Sequence, residues 1–364
     1  MTLRTRLLTL GFCLLTLGIN GCKNETPAPA TTPATAPAAA SAKTDPLAAW
    51  QPAFDPSSAQ FKYTLSCVGH PAIEGVAVGY RIRDKVWEKS NGRLYVEFRP
   101  LSQLGGEKDV INKLKLGAIQ GMMSSSVAAA NIAPRLGIVN LPYVVDTFVK
   151  LDTFRNTPEL WEPFRTGAEA QGIEVADFTG YGSYGWATTE PVRTLDEAKK
   201  INFRIAEAPV NTDLYKAWDL KFTVMPWPDV PQALQTGVIN GLDHTPIVCN
   251  ISKKFTVARY YTELDYAQGL YIHLINKAWL DKLPADLRQI LLQSITEESA
   301  AARQLTEKQQ NEQIAAAKAD GVTFAKLSTD DRNLLIKRAA PVYAKWGEVI
   351  GMGYLEKTRT ILKN

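Results

Sequence analysis

One arginine lies in a segment that otherwise has the pattern of a short buried strand. The stretch INFRIAEAPV places Ile201, Phe203 and Ile205 on one face, and Arg204 stands between two of them. A buried guanidinium is costly unless it is paired, and its planar fork suits a carboxylate that accepts two parallel hydrogen bonds. The residues alone leave two interpretations open with equal weight. Arg204 binds an anionic ligand, or it pairs internally with Glu207 or with a helix C-terminus.

Other polar, aromatic and thiol side chains come directly after predicted strands, and ligands of open α/β sheets bind at the carboxyl ends of strands. The residues at such positions are Cys67, Ser124, Tyr181, Arg204, Trp227 and His244. Trp227 and Trp186 can instead belong to the core, as large aromatic side chains after strands often do. Asp243 can contact a ligand, orient His244 or pair with Arg204.

Signals for catalysis, cofactors and metals are weak. The segment GYGSYG matches the G-x-G-x-x-G pattern, but WATTEPV follows it, and the dinucleotide fingerprint needs a helix there. The glycines are better explained as a bend near a hinge. The three histidines, His70, His244 and His273, are too few and too widely spaced for a zinc site. No nucleophile–base motif is present, so we expect neither an enzyme nor a cofactor.

The first 21 residues have the features of an export signal. Arg4 and Arg6 precede the apolar run LLTLGFCLLTLG, which is too short to span a membrane. The run ends in GINGC, which resembles the lipobox of bacterial lipoproteins, and we therefore expect Cys22 to become the lipidated first residue. Ordinary secretion with an incidental cysteine is the alternative. A Pro-, Ala- and Thr-rich segment follows, and this composition predicts a semi-extended tether.

The overall composition is that of an ordinary soluble globular protein, with 45% hydrophobic and 21% charged residues. The net charge of +4 comes without a basic cluster, so we expect no nucleic-acid partner. Two cysteines, Cys67 and Cys249, remain in the folded part of the chain. An exported chain meets an oxidising compartment, and either a disulfide or two buried thiols fits the sequence.

Strand and helix patterns alternate from residue 61 onwards, then repeat in a second unit, which predicts two α/β lobes with a cleft between them. Strong helix formers predict a long helix from Leu283 to Asp320 and another from Thr329 to Lys363. Chain crossings between the lobes are expected near 180–185 and 267–270. The expected division is a lipoprotein signal peptide at 1–21, a lipidated cysteine and tether at 22–60, a first lobe at 61–179 plus 271–309, and a second lobe at 180–270 plus 310–364.

The chain resembles the substrate-binding proteins of TRAP transporters, the DctP-type family, in three stretches: LGGEKDVINKLKLGAIQGMMSSS, INFRIAEAPV and MPWPDVPQALQTGVINGLDHTP. The resemblance covers residues 61–364, and ALQTGVING is its most specific part. It implies a two-lobed fold of the Venus-flytrap type, with a long helix that spans both lobes. It also implies that Arg204 grips the carboxylate of the substrate.

The resemblance also implies ligand-binding roles for other individual residues of this chain. The aromatic residue after MP usually lines the site, and here it is Trp227. Asp243 and His244 occupy the positions of cleft-facing polar residues, although the family more commonly has asparagine where His244 stands. Tyr184 lies near the position of a second arginine in many members. Its presence there argues against a second strongly anionic group on the ligand.

The first lobe contributes a second set of candidates by the same resemblance. Ser124 and Ser125 match a polar position that faces the ligand, and Cys67 and His70 lie in the loop after the first strand. Trp186 adds to the aromatic residues near the predicted site. Together with the missing arginine, these aromatic side chains favour a monocarboxylate with a sizeable apolar or aromatic body over sugar acids and C4-dicarboxylates.

The resemblance therefore implies an extracytoplasmic solute-binding lipoprotein that captures an organic carboxylate and delivers it to TRAP membrane subunits. We expect it in the periplasm, held to a membrane only through its lipid. A periplasmic ligand-sensing module that presents its bound state to a signalling receptor is the alternative.

Overall fold

The computed structural model describes residues 47–363. The predicted signal peptide, Cys22 and the first part of the predicted tether lie outside these residues. The folded body nevertheless begins earlier than residue 61, because Trp50 and Phe54 pack on the first helix. The ring of Trp50 lies 5.3 Å from that of Tyr80, and the ring of Phe54 lies 4.4 Å from that of Trp87.

Within the described residues, nine strands form a single mixed sheet in the order β2-β1-β3-β8-β4-β7-β5-β6, with β9 paired to β8. The strands are β1 (Phe61–Cys67), β2 (Leu94–Arg99), β3 (Gly121–Ser125), β4 (Ile173–Thr188), β5 (Asn202–Ile205), β6 (Lys221–Val224), β7 (Gly241–His244), β8 (Tyr260–Asn276) and β9 (Thr323–Lys326).

The helices cover the faces of this sheet. They are α1 (Glu74–Lys89), α2 (Glu107–Lys115), α3 (Ser126–Ala129), α4 (Phe148–Asn156), α5 (Pro158–Arg165), α6 (Leu195–Ala198), α7 (Pro209–Ala217), α8 (Val230–Gln235), α9 (Pro246–Ile251), α10 (Lys277–Lys282), α11 (Ala285–Ala319), α12 (Thr329–Arg338), α13 (Ala340–Ile350) and α14 (Met352–Lys363). No helix in 47–363 is long and apolar enough to cross a membrane.

Two long antiparallel strands, β4 and β8, join the two lobes. The second half of β8 pairs with β3 on one side and with the first half of β4 on the other. The second half of β4 pairs with β7, and the first half of β8 pairs with β9. The pairing of β4 with β8 shifts register between Gly180 and Gly185, where Gly182 has a φ of +104°. The two-lobed α/β fold is thus confirmed, and the lobes share one sheet because these strands run through both.

The long helix α11 extends over 35 residues, close to the expected bounds. It packs on α1, on β4 and on α9. A buried ion cluster fixes it to the sheet, because Arg303 of α11 donates to Asp177 of β4 at 2.8 Å and Arg155 of α4 donates to the same carboxylate at 3.0 and 2.7 Å.

The prediction of one continuous helix from Thr329 to Lys363 is wrong, because three shorter helices, α12, α13 and α14, occupy this segment. Pro341 lies at the second position of α13, where its missing N–H is tolerated at a helix start. Gly351, with a φ of +107°, separates α13 from α14. Helix propensity favoured the whole segment, but these two residues divide it.

Candidate ligand-binding site

The candidate residues meet where strands of both lobes end. β5 and β7 are parallel neighbours with Arg204 opposite Leu242, so Arg204 and Asp243 come to the same edge of the second lobe. The end of β3 faces them from the first lobe. The side chains enclose a cavity of about 30 Å³. These residues selected from the sequence line it: Ser125, Tyr181, Tyr184, Arg204, Trp227, Asp243 and His244.

Arg204 is buried, with 4% of its surface exposed, and lacks an ion pair within residues 47–363. Its Nε donates to the carbonyl oxygen of Met225 at 3.0 Å, which leaves the two terminal nitrogens for another partner. Burial lowers the pKa of Arg204, and the nearby acids Glu107 and Asp243 oppose this shift. The internal pair with Glu207 is not formed, and the guanidinium lines the cavity.

Glu107, the first residue of α2, is a cavity residue that the sequence analysis did not select. Its two carboxylate oxygens accept hydrogen bonds from the backbone N–H of Ser125 at 2.6 Å and from Ser125 Oγ at 2.8 Å. Burial raises the pKa of Glu107, whereas the bonds from Ser125 and the charge of Arg204 lower it. An acid directly after two glycines, at the start of a predicted helix, was the available signal.

Asp243 is 3% exposed, and its Oδ2 accepts a hydrogen bond from the Tyr266 hydroxyl at 2.6 Å. Oδ1 is buried without a hydrogen-bond partner in the described part of the chain. Burial raises the pKa of Asp243 to about 7, although Tyr266, Arg204 and Tyr215 act in the opposite direction. Of the alternatives for Asp243, a direct ion pair with Arg204 is not formed, and the two groups interact only through their charges.

His244 is buried next to Asp243, and its Nδ1 accepts the backbone N–H of Thr245 at 2.9 Å. Burial and the charges of Arg204 and Lys254 lower the pKa of His244 well below its usual value. Both effects favour the neutral imidazole, whose ring centroid lies 4.8 Å from that of Trp227 and 5.8 Å from that of Tyr184.

Trp227 stands at the junction of three cavities. It lines the 30 Å³ cavity, an adjoining cavity of about 320 Å³ that also contains Arg204 and Glu107, and a third of about 430 Å³. Its ring centroid lies 5.6 Å from Cζ of Arg204 and 4.7 Å from Nζ of Lys254. Because Trp227 contacts all three spaces, its indole belongs to the cleft and not to the core.

An aromatic wall closes the other side of the central cavity. Tyr184 is buried, and its hydroxyl forms a hydrogen bond with that of Tyr181 at 2.7 Å. Tyr271 packs on Tyr181 at 4.5 Å and also lines the cavity. The sequence did not single out Tyr271 or Asn211, since Tyr271 lies within a long strand and Asn211 within α7.

Four selected residues do not reach the central cavity. Trp186 is a core residue, whose Nε1 donates to the Tyr215 hydroxyl at 2.9 Å and whose ring packs on Phe203 at 5.0 Å. Ser124 is buried on the opposite face of β3 from Ser125, because neighbouring side chains of a strand alternate, and its Oγ donates to a backbone carbonyl.

The two remaining positions lie in the loop after β1. Cys67 is fully buried, and its Sγ accepts the N–H of Gly69 at 3.3 Å. Its neighbour Val68 lines the cavity instead. His70 lines the 430 Å³ cavity and not the one with Arg204. Cys67 and Cys249 are both free and buried, which resolves the open alternative in favour of two thiols. Residues 47–363 contain no group of three or more acidic, histidine or cysteine side chains placed to hold a metal ion.

The fold and the cleft together define a two-lobed solute-binding protein, and comparison with known proteins agrees. The chain belongs to the bacterial extracellular solute-binding protein family 7, whose family model matches residues 73–348. This is a family of extracytoplasmic substrate-binding proteins of transporters and not of enzymes. The comparisons lend no support to the alternative of a signalling module.

Curated relatives are similar over most of their length. The C4-dicarboxylate-binding periplasmic protein DctP of Rhodobacter capsulatus is 27% identical over 72% of this chain and 79% of its own. The 2,3-diketo-L-gulonate-binding periplasmic protein of Escherichia coli is 26% identical over 66% of this chain and 74% of its own.

Solved structures show the same fold. A TRAP periplasmic solute-binding protein from Shewanella oneidensis with bound succinate has a TM-score of 0.79 at 20% identity, and the match covers 84% of this chain and all of that one. A sugar acid binding protein from Advenella mimigardefordensis in complex with galactonate also has a TM-score of 0.79 at 20% identity, over 83% of this chain and 97% of the other.

Proposed function

We propose that this protein captures a small organic carboxylate in the cleft and delivers it to the membrane subunits of a TRAP-type transporter. One observation carries the proposal. Arg204 is buried in the cavity with its terminal nitrogens free of any ion pair in the described residues. A buried cation needs an anionic partner, and a carboxylate fits its fork. The names of the relatives support this, since they are described as binding dicarboxylates and sugar acids.

The adjoining cavity supports a ligand larger than the carboxylate alone. It has a volume of about 320 Å³, within the range of small-molecule sites, and shares Arg204 and Trp227 with the central cavity. We propose that the carboxylate sits on Arg204 and that an apolar or aromatic body extends along Trp227. Trp227→Ala should weaken binding of an aromatic ligand about as much as Arg204→Ala, and that of a small aliphatic ligand much less.

Calorimetry on variants of Arg204 tests the proposal, with the ligand that mass spectrometry identifies after release from denatured protein. Removing one partner of a buried ion pair costs about 3–5 kcal/mol, or roughly two to four decades in affinity. Arg204→Ala should show this loss, and Arg204→Lys should also bind poorly because it loses the fork. Arg193→Ala, which removes an exposed arginine of the same lobe, is the control. Unchanged affinity in Arg204→Ala would overturn the proposal.

We also propose that the protein is anchored through lipid on Cys22, which precedes the described residues. The support comes from the GINGC sequence at the end of a short apolar run. Cys22→Ser should release the protein into the soluble periplasmic fraction, whereas Cys13→Ser should not, because Cys13 lies within the predicted signal. A soluble wild-type protein with no lipid mass on Cys22 would contradict the anchor.

A further inference from the structure

One carboxylate oxygen in the central cavity lacks a partner. Asp243 is almost fully buried and lines the cavity, and its Oδ2 is bound by Tyr266. Oδ1 meets no hydrogen-bond criterion within residues 47–363, although the Tyr215 hydroxyl interacts with the same carboxyl and lowers its pKa. The same hydroxyl accepts the indole N–H of Trp186 and keeps its own hydrogen as a donor, so it acts on Asp243 as well as on Trp186. An unsatisfied acceptor at this depth costs roughly 1–3 kcal/mol, so a donor on the ligand is its natural partner.

The charges around Arg204 point to the nature of that donor. Two acids, Glu107 from the first lobe and Asp243 from the second, line the same cavity and act on the guanidinium. A simple monocarboxylate would add a further acid to a cavity that already holds two carboxyl groups and a single buried cation. The charge of Lys254 does not resolve this, because Lys254 lines the 430 Å³ cavity beyond Trp227. A positive charge on the ligand, in addition to that of Arg204, would balance the negative charge of the carboxyl groups in the central cavity.

We propose that the cargo is an amino carboxylate, whose carboxylate binds Arg204 and whose ammonium group donates to Oδ1 of Asp243. This inference rests on the proposed function and narrows its ligand class. The ammonium group of the amino carboxylate would hold Asp243 in the ionised form. The high pKa that burial gives Asp243 leaves the carboxyl only partly ionised at neutral pH without such a partner.

A competing arrangement has Asp243 protonated and donating to a hydroxyl or keto oxygen of a ligand. In that case the site would accept a hydroxy acid at least as well as an amino acid. The two arrangements therefore differ in their preference among ligands of identical skeleton, which makes matched sets of acids the decisive probes.

Two sets of three acids test the proposal on the full-length folded protein freed of its ligand. The first set is alanine, lactate and propionate, and the second is phenylalanine, phenyllactate and 3-phenylpropionate, with both configurations of each chiral acid. Thermal stabilisation ranks the acids, and calorimetry measures those that bind. We expect the amino acid of at least one set to bind about 10- to 100-fold more tightly than both analogues, as expected for a charge-assisted hydrogen bond.

Asp243→Asn provides the second arm, with the exposed Asp196→Asn as its matched control. In the Asp243 variant the amino acid should bind no more tightly than its hydroxy or unsubstituted analogue, while the control keeps the wild-type order. If the variant does not fold, the wild-type ranking still decides. If in both sets an analogue without nitrogen binds as tightly as its amino acid, the inference is overturned, and the absence of binding throughout both sets also overturns it.

Failure of this inference is distinguishable from failure of the proposed function. If acids bind without regard to the amino group and Arg204→Ala abolishes their binding, the carboxylate site stands and only the amino group is rejected. If binding of the same acids survives Arg204→Ala, the carboxylate site itself is rejected.

Discussion

The carboxylate of Glu107 accepts two hydrogen bonds from Ser125, one from its backbone N–H and one from its hydroxyl, at 2.6 and 2.8 Å. This relationship ties the first turn of α2 to the end of β3, directly beside Arg204. Ser125 Oγ also accepts the N–H of Ala128 and so caps α3. The hydroxyl that the sequence suggested as a ligand contact is thus engaged within the protein, and Glu107 presents the charge to the cavity.

The neighbouring serines should respond differently to truncation. Ser125→Ala removes a helix cap and a hydrogen bond to a carboxylate, so we expect a loss of about 2–3 kcal/mol in the free energy of unfolding and weaker ligand binding. Ser124→Ala removes a single bond to the Ser125 carbonyl, away from the cavity, and should cost about 1 kcal/mol or less without changing affinity. Denaturant unfolding and calorimetry on the two variants measure this contrast. Equal effects would contradict the roles assigned here.

A hydrogen bond across the cleft should favour the closed state. Asn131 follows α3 of the first lobe, and its Nδ2 donates to the carbonyl of Glu207 in the second lobe at 2.8 Å. Asn131→Ala should therefore reduce ligand affinity by a factor corresponding to about 0.5–1.5 kcal/mol. Small-angle scattering should show compaction of the wild-type protein with ligand and a smaller change in this variant. The exposed Asn156→Ala should behave as wild type, and an unchanged radius of gyration in the wild-type protein would count against hinge closure.

The buried cluster around Asp177 should contribute strongly to stability. Its carboxylate is fully buried and accepts hydrogen bonds from Arg155 and Arg303, on α4 and α11. Asp177→Ala leaves Arg155 without its acid and Arg303 with only Asp152, at 3.3 Å, so we expect a loss of about 3–5 kcal/mol in the free energy of unfolding. Glu312→Ala breaks only an exposed i,i+4 pair with Lys308 and should change stability by about 0.5 kcal/mol or less. Denaturant unfolding measures the loss of stability in both variants. An equally small loss in Asp177→Ala would show that contacts other than this cluster hold α11 to the sheet.

Acid should destabilise the protein in part through His273. This side chain is fully buried, neither ring nitrogen has a hydrogen-bond partner in 47–363, and burial lowers its pKa from 6.5 to about 4. The unfolded chain takes up a proton as pH falls below 6.5 while the folded protein does not, so stability is kept above that pH and lost between 6.5 and 4. The shift corresponds to about 3 kcal/mol.

His273→Leu removes this titration, and unfolding experiments at pH 7 and pH 5 should show a smaller acid-dependent loss than in wild type. At pH 7 the variant should be nearly as stable as wild type, because an apolar side chain leaves no unsatisfied nitrogen. An identical pH dependence in the two proteins would show that His273 is not responsible.

Much of the architecture follows from local patterns in the sequence. Alternating strand and helix signals indicated two α/β lobes, and strong helix formers located α11 to within two residues at each end. Short motifs indicated the family. A charge within the otherwise apolar INFRI strand drew attention to Arg204 as a candidate ligand-binding residue. These features depend on residues near one another in the chain, where periodicity, propensity and steric preference act directly.

The tertiary structure decided which side chains share the cavity. Trp186 and Trp227 have similar sequence contexts, yet the pairing of β4 with β7 and β8 puts Trp186 in the core, while Trp227 lies at the meeting point of three cavities. Glu107 lies 97 positions before Arg204 in the chain, and only the tertiary structure brings the two side chains to the same cavity. Burial, unsatisfied oxygens and shifted pKa values arise from such long-range contacts, and no local pattern encodes them.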